Sequence, residues 1–390
     1  MKIMEQKFNI LINKSLEEIN EVIVFGAGRY GILSIYLLHE IGIDVIACMD
    51  NDPQKNGKLI LDYVSCTLPS FVKDVPVIIA LKDKKMSEEI CAQCEQLGYT
   101  ECIYFDKLEQ VLNGMPDKKY LEIKFASMFD GRRLNWDNLR TFNEKLQWLK
   151  LNDRNPEYIK MVDKYEVKKY VTGKIGEQYI IPTLGVWDDF SEIDFDTLPD
   201  QFVLKCTHDS GGTVIVKDKK TFDKDKAREK LQKSLNTNYY YAGREWPYKN
   251  VAPRIIAEKY MEDNSSTELK DYKFFCFHGV PRIILTVTGG HEDESKIIRR
   301  MYNAEWKRYP VGLHGKKNEP TSEDKPPLLD EMLRIARKLS AGIKHLRVDL
   351  YIVNNKIYFG ELTFYHMSGY EIFDPVEYDE VFGSFLDLNK

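Results

Sequence analysis

Two short stretches near the C-terminus carry the residue types that phosphoryl chemistry needs. Leu346-Arg347-Val348-Asp349-Leu350-Tyr351-Ile352-Val353 and Ile357-Tyr358-Phe359-Gly360-Glu361-Leu362-Thr363-Phe364 both read as strands, joined across Asn354-Asn355-Lys356. If those three residues form the loop, Val353 pairs with Ile357 and Asp349 lies opposite Glu361. Arg347 and Thr363, each two residues along, then share that face. Two carboxylates roughly 5 Å apart at Cβ repel one another unless something cationic lies between them, and Mg²⁺ bound to oxygens and ATP phosphates answers that need. A two-residue Asn-Asn turn would put Asp349 and Glu361 on opposite faces and dissolve the site. The plain alternative, solvated charges on a half-exposed hairpin, is weakened by Gly360 and the apolar neighbours, which point to burial.

A second stretch, Phe202-Val-Leu-Lys205-Cys-Thr-His208-Asp-Ser210-Gly211-Gly212-Thr213-Val-Ile-Val, places a lysine on a strand that enters a short Ser-Gly-Gly turn. Glycines let backbone N–H groups close on phosphate oxygens without a Cβ in the way, and the lysine can meet the same charge. Taken alone, the pattern is also that of an ordinary hairpin. A third, Ile255-Ile-Ala-Glu258-Lys259-Tyr260-Met261, is a strand that could offer adenine backbone hydrogen bonds and an apolar slot, although by itself it reads as a core strand.

The elements that would position these residues fall into two styles. Residues 21–25, EVIVF, run into Gly26-Ala-Gly28-Arg-Tyr-Gly31 and the helical stretch GILSIYLLHEIG, while DVIACMD ends at Asp50 about 20 residues later. With DVPVIIAL at 74–81 and a helix over MSEEICAQCEQLG, this predicts a small domain with a parallel sheet. Polar and aromatic helical segments follow from 117 to about 160. Beyond them QFVLKCT, TVIVKD, RIIAEKYM, KFFCFHG and PRIILTVTGG are strand-like, and 223–235 and 328–344 are helical. In the last helix Leu329, Met332, Leu333, Ala336, Leu339 and Ile343 share a face. Residues 311–327 form the clearest loop. The expected class is therefore α/β plus α+β.

The bulk numbers narrow the partners. A chain of 390 residues suits two or three domains, and its net charge of -5 argues against a sequence-independent nucleic-acid binder. The N-terminal MKIMEQKFNILINKSLEEIN has no signal-peptide pattern, and no apolar stretch is long enough to span a membrane, so a cytoplasmic location is expected. Seven scattered cysteines then suit reduced thiols. Cys91-Ala-Gln-Cys94 lacks the second ligand pair that a zinc site needs.

The order Lys164, Lys205 with its glycine loop, the Glu258 segment, Lys273, Arg347-x-Asp349 and Glu361 resembles the ATP-grasp superfamily, and within it the TupA-like family, named for teichuronopeptide biosynthesis. The resemblance is carried by FNEKLQWLKLNDRNPEY at 142–158, DKYEVKKYV at 163–171, IIPTLGVWDDF at 180–190, LPDQFVLKCTHDSGG at 198–212, GREWPYKN at 243–250, PRIIAEKY at 253–260, DYKFFCFHG at 271–279 and FGELTFYHMSGY at 359–370. It implies that Lys164 and Lys205 bind ATP phosphates beneath a loop of His208, Ser210, Gly211 and Gly212. It further implies that Glu258, Lys259 and Met261 hold adenine and that Lys273 contacts nucleotide or phosphate. Asp349 and Glu361 would hold Mg²⁺ with Thr363 in place of the family's frequent asparagine, and Arg347 would sit where negative charge develops. Arg244, Arg282, Arg299 and Arg300 are candidates for an anionic substrate, because guanidinium can pair with a carboxylate bidentately.

The reaction so implied joins a carboxylate to an amine through an acyl phosphate, here on a uronic-acid-containing surface-polysaccharide precursor. Alternatives are a glycosyltransferase or kinase of the same pathway, or a catalytically silent nucleotide-binding protein. The N-terminal fragment resembles Rossmann-like domains of sugar acyltransferases, which implies a nucleotide-sugar ligand at Gly26, Gly28, Gly31 and Asp50. An inert structural domain and NAD(P) redox chemistry are the other readings. The expected organisation is a Rossmann-like domain over 1–112, a helical linker over 113–160 and an ATP-grasp catalytic domain over 161–390.

Overall fold

The computed structural model describes residues 19–60, 64–263, 269–289 and 296–390. Most of the N-terminal stretch read for a signal sequence, and Gly290 at the end of PRIILTVTGG, lie outside those residues. The chain divides into two compact units, Met1–Trp136 and Asp137–Lys390. The helical segment 113–160 is thereby shared between both units.

In the first unit the strands are β1 (Glu21–Phe25), β2 (Asp44–Met49), β3 (Leu59–Ile60), β4 (Val64–Thr67), β5 (Val77–Ile79) and β6 (Cys102–Tyr104). They form one sheet in the order β3-β4-β2-β1-β5-β6, parallel except for the β3–β4 pair. Its helices are α1 (Arg29–Glu40), α2 (Lys84–Gln96), α3 (Phe105–Gly114) and α4 (Asp117–Met128). Val22, Ile23, Val24, Val77, Ile78 and Ile79 are fully buried, the continuous apolar run of strands covered on both faces. The glycine turn after β1 has a packing reason. A Cβ on Gly31 would stand 1.6 Å from the Gly26 carbonyl oxygen, and Gly26 itself has φ +107°.

The second unit opens with helices α5 (Phe142–Asn152), α6 (Glu157–Val162) and α7 (Glu166–Ile175). A capping box, in which Thr141 and Glu144 satisfy each other's backbone N–H groups, starts α5. Strands β7 (Thr183–Trp187), β8 (Phe202–Cys206), β9 (Val214–Val216) and β10 (Ile255–Lys259) make an antiparallel sheet in the order β7-β10-β8-β9. Helices α8 (Lys224–Leu235) and α9 (Tyr240–Gly243) lie between β9 and β10 in sequence. A second antiparallel sheet contains β11 (Asp271–Phe277), β12 (Val280–Thr288), β13 (Ile298–Asn303), β14 (Arg308–Tyr309), β15 (His345–Val353) and β16 (Lys356–Thr363), in the order β14-β13-β12-β11-β15-β16. Helix α10 (Leu329–Ser340) buries Leu329, Met332, Ala336 and Leu339 into the core that this larger sheet shares, and α11 (Glu377–Gly383) lies near the C-terminus.

The hairpin of β15 and β16 departs from the expected three-residue loop. Val353 pairs with Lys356, so the turn is Asn354-Asn355 alone, with φ of 50° and 59°. Two left-handed residues match the twist of the flanking strands, and Asn tolerates that region. That turn ought to separate the two carboxylates. A β-bulge restores them: the register shifts between Asp349 and Leu350, Phe359 pairs with Leu350, and Glu361 pairs with Asp349. Gly360 is the extra residue. A Cβ there would meet Tyr351 Cε2 at 2.7 Å and the Asp349 carbonyl oxygen at 3.2 Å.

Gly360→Ala is therefore expected to destabilise the protein by about 1–3 kcal/mol through overpacking of the bulge. Urea unfolding of variant and wild type measures this, and an unchanged midpoint would show that the bulge has room for a side chain.

Candidate active site

On the face of β15, Arg347 donates from Nε to Asp349 Oδ1 and from Nη2 to Asp349 Oδ2, both at 2.7 Å. The same Nη2 donates to Glu361 Oε1 at 2.7 Å, so one guanidinium bridges the two opposed carboxylates. Lys273, directly opposite Asp349 on β11, donates to Asp349 Oδ2 at 2.7 Å and lies 3.4 Å from Asp271 Oδ2. Thr363 Oγ1 donates to Glu361 Oε1 at 3.1 Å. Burial by itself would raise the Asp349 carboxyl, but Arg347 and Lys273 outweigh it and hold Asp349 below the usual carboxylate range. Burial likewise opposes the Lys273 charge, and Asp349 keeps that lysine raised. Asp349 is 1% exposed, whereas the Glu361 side chain is 45% exposed.

Behind Arg347 runs a buried line of contacts that sequence reading missed. Arg347 Nη1 stands 3.0 Å from His366 Nδ1, and His366 Nε2 stands 3.2 Å from Glu371 Oε2. A guanidinium only donates, so Nδ1 must accept, the ring is neutral, and Nε2–H donates to Glu371. Glu371 Oε1 also accepts from the backbone N–H groups of His314 and Ile372, at 2.7 and 3.0 Å. The motif FYHMSGY held His366 in plain view, but only the folded chain shows what its ring faces.

The smaller sheet carries the inverse arrangement. Lys205 on β8 donates to Glu258 Oε2 at 2.7 Å, and Lys168 of α7 pairs with Glu258 Oε1 at 2.6 Å. Burial would raise the Glu258 carboxyl, yet Lys205 and Lys168 bring it below its ordinary value. Glu258 thus sits between two ammonium groups with its side chain buried. Lys259 is exposed, its N–H bonded to Pro182 O at 3.0 Å, and Met261 is half-buried. Lys168 is a further residue that the sequence left unmarked.

The glycine loop is wider than a Ser-Gly-Gly turn. Leu204 pairs with Val214, while Lys205 and Cys206 continue against β10, so Lys205–Thr213 connects the paired parts of β8 and β9. Lys164 Nζ donates to Cys206 O at 3.0 Å and to the Asp209 carbonyl oxygen, and it lies 3.4 Å from Asp209 Oδ1. It therefore ties down the loop it was expected to work beneath. Ser210 and Gly211 are exposed. His208 is buried, with Nε2 3.0 Å from Ser234 O on α8, so its ring supports the loop from below. Lys164 and Asp209 line one small cleft together with Tyr248, Gly360 and Glu361, which brings the loop and the carboxylate hairpin to a common opening.

Register sorts the candidate arginines. Asp271 pairs with Val287, and Val287 with Arg299, so Arg299 shares the sheet face of Asp349. Arg300 pairs with Thr286 on the other face, where it holds Thr321 and Glu323. Arg282 is exposed on β12. Arg244 is buried, with its guanidinium over the Tyr240 and Tyr241 rings at 5.0 and 5.2 Å. Its neighbour Glu245 went unmarked in the sequence. Burial lifts the Glu245 carboxyl to about 7, against the pull of Lys150.

A family model described as TupA-like ATPgrasp matches residues 144–387, more than half of the chain. The chain belongs to the TupA-like ATP-grasp family. Several solved ATP-grasp structures are also similar. D-alanine–D-alanine ligase from Bacillus anthracis complexed with ATP is 15% identical, covering 88% of this chain and 84% of that one, with a TM-score of 0.32. N5-carboxyaminoimidazole synthetase from Staphylococcus aureus complexed with ADP is 13% identical over 88% and 70%, with a TM-score of 0.28. A RimK domain ATP-grasp protein from Sphaerobacter thermophilus is 10% identical over 94% and 99%, with a TM-score of 0.32. At such scores the family assignment rests on the sequence match. No curated protein matches the chain.

Among the described residues no three His, Cys, Asp or Glu side chains gather into a metal-holding set. Asp349, Glu361 and Thr363 of this ATP-grasp protein offer two carboxylates and a hydroxyl. That donor set fits a hard cation such as Mg²⁺, which takes few protein ligands and completes its shell with water and phosphate oxygens. No helix among the described residues is long and apolar enough to cross a membrane.

Glu258→Gln should cost about 2–3 kcal/mol, because it strips the counter-charge from Lys168 and Lys205. The depressed folded pKa of Glu258 contributes stability that is present above its unfolded pKa and lost as pH falls through the folded one. Chemical unfolding between pH 7 and pH 3 is therefore expected to show a shallower acid decline in the variant. An equally steep decline would assign the acid sensitivity to other carboxylates.

Proposed function

We propose that this ATP-grasp protein is an Mg²⁺-ATP-dependent carboxylate–amine ligase, and that its carboxylate is a uronic acid within a capsular or surface-polysaccharide precursor. The observation that carries the reading is the Arg347 bridge between Asp349 and Glu361, with Lys273 opposite, at the opening that Lys164 and the glycine loop also reach. Phosphoryl transfer asks a protein chiefly for positioning and charge neutralisation, and this opening gathers groups of both signs.

In this reading Lys164, Lys168 and Lys205 meet the triphosphate, and the loop from His208 to Gly212 closes over it. Asp349, Glu361 and Thr363 would hold Mg²⁺, which when bound neutralises phosphate charge and polarises the transferring phosphoryl group. Arg347 remains pinned by His366 beside the place where the substrate carboxylate gains a phosphoryl group. Backbone and side-chain groups near Glu258, Lys259 and Met261 would face adenine. Arg299, on the same sheet face as Asp349, and Arg244 are the substrate-side guanidiniums in this reading; Arg300 holds Thr321 and Glu323 on the other face. The N-terminal unit would hold a nucleotide-sugar carrier near Gly26, Gly28 and Gly31. The Asp50 carboxylate is already engaged by Ala27 N–H at 2.7 Å and Lys55 at 2.8 Å, which speaks against its use on a ribose.

The test is ADP and phosphate release by the purified protein with Mg²⁺-ATP, against a panel of nucleotide-linked uronic acids and free amines. Turnover should require both co-substrates and yield an amide, and Glu361→Ala should reduce it about a hundredfold or more, equivalent to a few kcal/mol of lost charge stabilisation. A stable phosphate ester as product would make the enzyme a kinase, and sugar transfer without ATP would make it a glycosyltransferase.

A further inference from the structure

The N-terminal unit contains a cation for which the described residues supply no counter-charge of its own. Lys124 on α4 is 7% exposed, and among the described residues its ammonium has no hydrogen bond and no ion pair. Its charged neighbours are Arg29, Lys82 and Glu109. Glu109 is already paired with Lys82. A buried ammonium that faces two further cations is costly unless an anion joins them.

The position of this cluster is as telling as its charge. Strand β1 connects through α1 to β2 on one side, while β5 and β6 lie on its other side, so chain order reverses between β1 and β5. In open parallel sheets ligands lodge beyond the carboxyl ends of the strands at that reversal. Arg29 is the first residue of α1, directly after the β1 glycine turn, and Lys82 follows the end of β5. Helix α4, which brings Lys124, packs along α1. The N-cap of α1 is Gly28, which makes no side-chain cap and has nothing within 4 Å of an ideal Cβ, so the first N–H groups of a twelve-residue helix adjoin open space. Beside them Tyr30 and Phe105 stand 5.0 Å apart, with Lys82 Nζ 5.4 and 5.9 Å from the two ring centroids.

We propose that the N-terminal unit binds the diphosphate group of a nucleotide-type ligand at the β1/β5 edge, with Lys124, Arg29 and Lys82 as its cationic partners and the start of α1 as its backbone cradle. Burial and the two neighbouring cations pull the Lys124 ammonium down to about 8, the behaviour of a charge awaiting an anion. Lys124 belongs to a helix beyond the last strand of the sheet, so its charge is supplied independently of the glycine turn and of Asp50. This deepens the carrier reading above and rests on it only for the source of the diphosphate.

The experiment is calorimetric titration of the full chain with inorganic diphosphate, ADP and UDP, together with thermal midpoints, for wild type, Lys124→Met and the control Lys84→Met. Two effects of opposite sign are expected for Lys124→Met. Its ligand-free midpoint should rise, because an unpaired buried charge has gone, and one class of diphosphate binding should weaken at least tenfold. Binding at the ATP side of the other unit persists as an internal reference, and Lys84→Met behaves as wild type. Equal affinity for inorganic diphosphate and nucleoside diphosphates would mean that the diphosphate itself is read, and tighter UDP or ADP binding would mean that the base is read as well. Unchanged binding in Lys124→Met, or a lowered ligand-free midpoint with no second class of binding in wild type, would overturn the proposal. The ligase reading fails separately, in the Glu361→Ala turnover assay.

Discussion

The larger sheet of the C-terminal unit holds two carboxylates face to face. Asp349 and Glu361 occupy opposed positions on neighbouring strands, where like charges repel, and the fold answers with fixed cations. Arg347 reaches both, and Lys273 adds a second positive charge to Asp349. The planar guanidinium suits the task because it can address Asp349 with two donors and still reach Glu361 with one. With Asp271 included, three carboxylates face two cations, so this patch keeps one negative charge in excess.

The smaller sheet inverts that balance. Glu258 is a single carboxylate between Lys168 and Lys205, which leaves one positive charge in excess, and Lys164, from the α6–α7 connection, is bonded to the glycine loop that follows Lys205. A magnesium triphosphate has a cationic part and an anionic part. Patches of opposite excess charge on the two sheets suit it better than a uniformly basic surface would. Buried pairing also keeps each side chain in one rotamer before any ligand arrives, which lowers the reorganisation needed during reaction.

His366 and Glu371 extend this logic behind Arg347. Because Arg347 can only donate, it fixes the His366 tautomer, and Glu371 fixes the ring from behind. The C-terminal segment of the chain thereby orients a side chain on β15. The N-terminal unit shows the contrary condition, a lysine whose charge the described residues leave unanswered. Satisfied ions there include Asp50, whose carboxylate braces the glycine turn through Ala27 N–H and Lys55.

What the sequence by itself determined was local and serial. It established ten of the strands, although not β3, β4, β6, β7, β13 or β14, together with the strand–glycine turn–helix order at the N-terminus, the apolar face of α10, and the ordered set of lysines, acids and arginine that marks the ATP-grasp family. It also paired Asp349 with Glu361, although through the wrong turn. The Asn354-Asn355 hairpin and the bulge at Gly360 shift the register by one residue each, and the two shifts cancel. Only the tertiary structure could decide that, because a bulge is fixed by what packs on either side of it, here Tyr351 and the Asp349 carbonyl. The same holds for the ion pairs. Lys273 and Asp349 are 76 residues apart in sequence, Lys205 and Glu258 are 53 apart, and the line from Arg347 to Glu371 joins a strand to a loop beyond the next strand. Charge at a position is written in the residue, but the partner that sets its direction, its protonation and its freedom to act is assigned by strand register and burial, which no local pattern encodes.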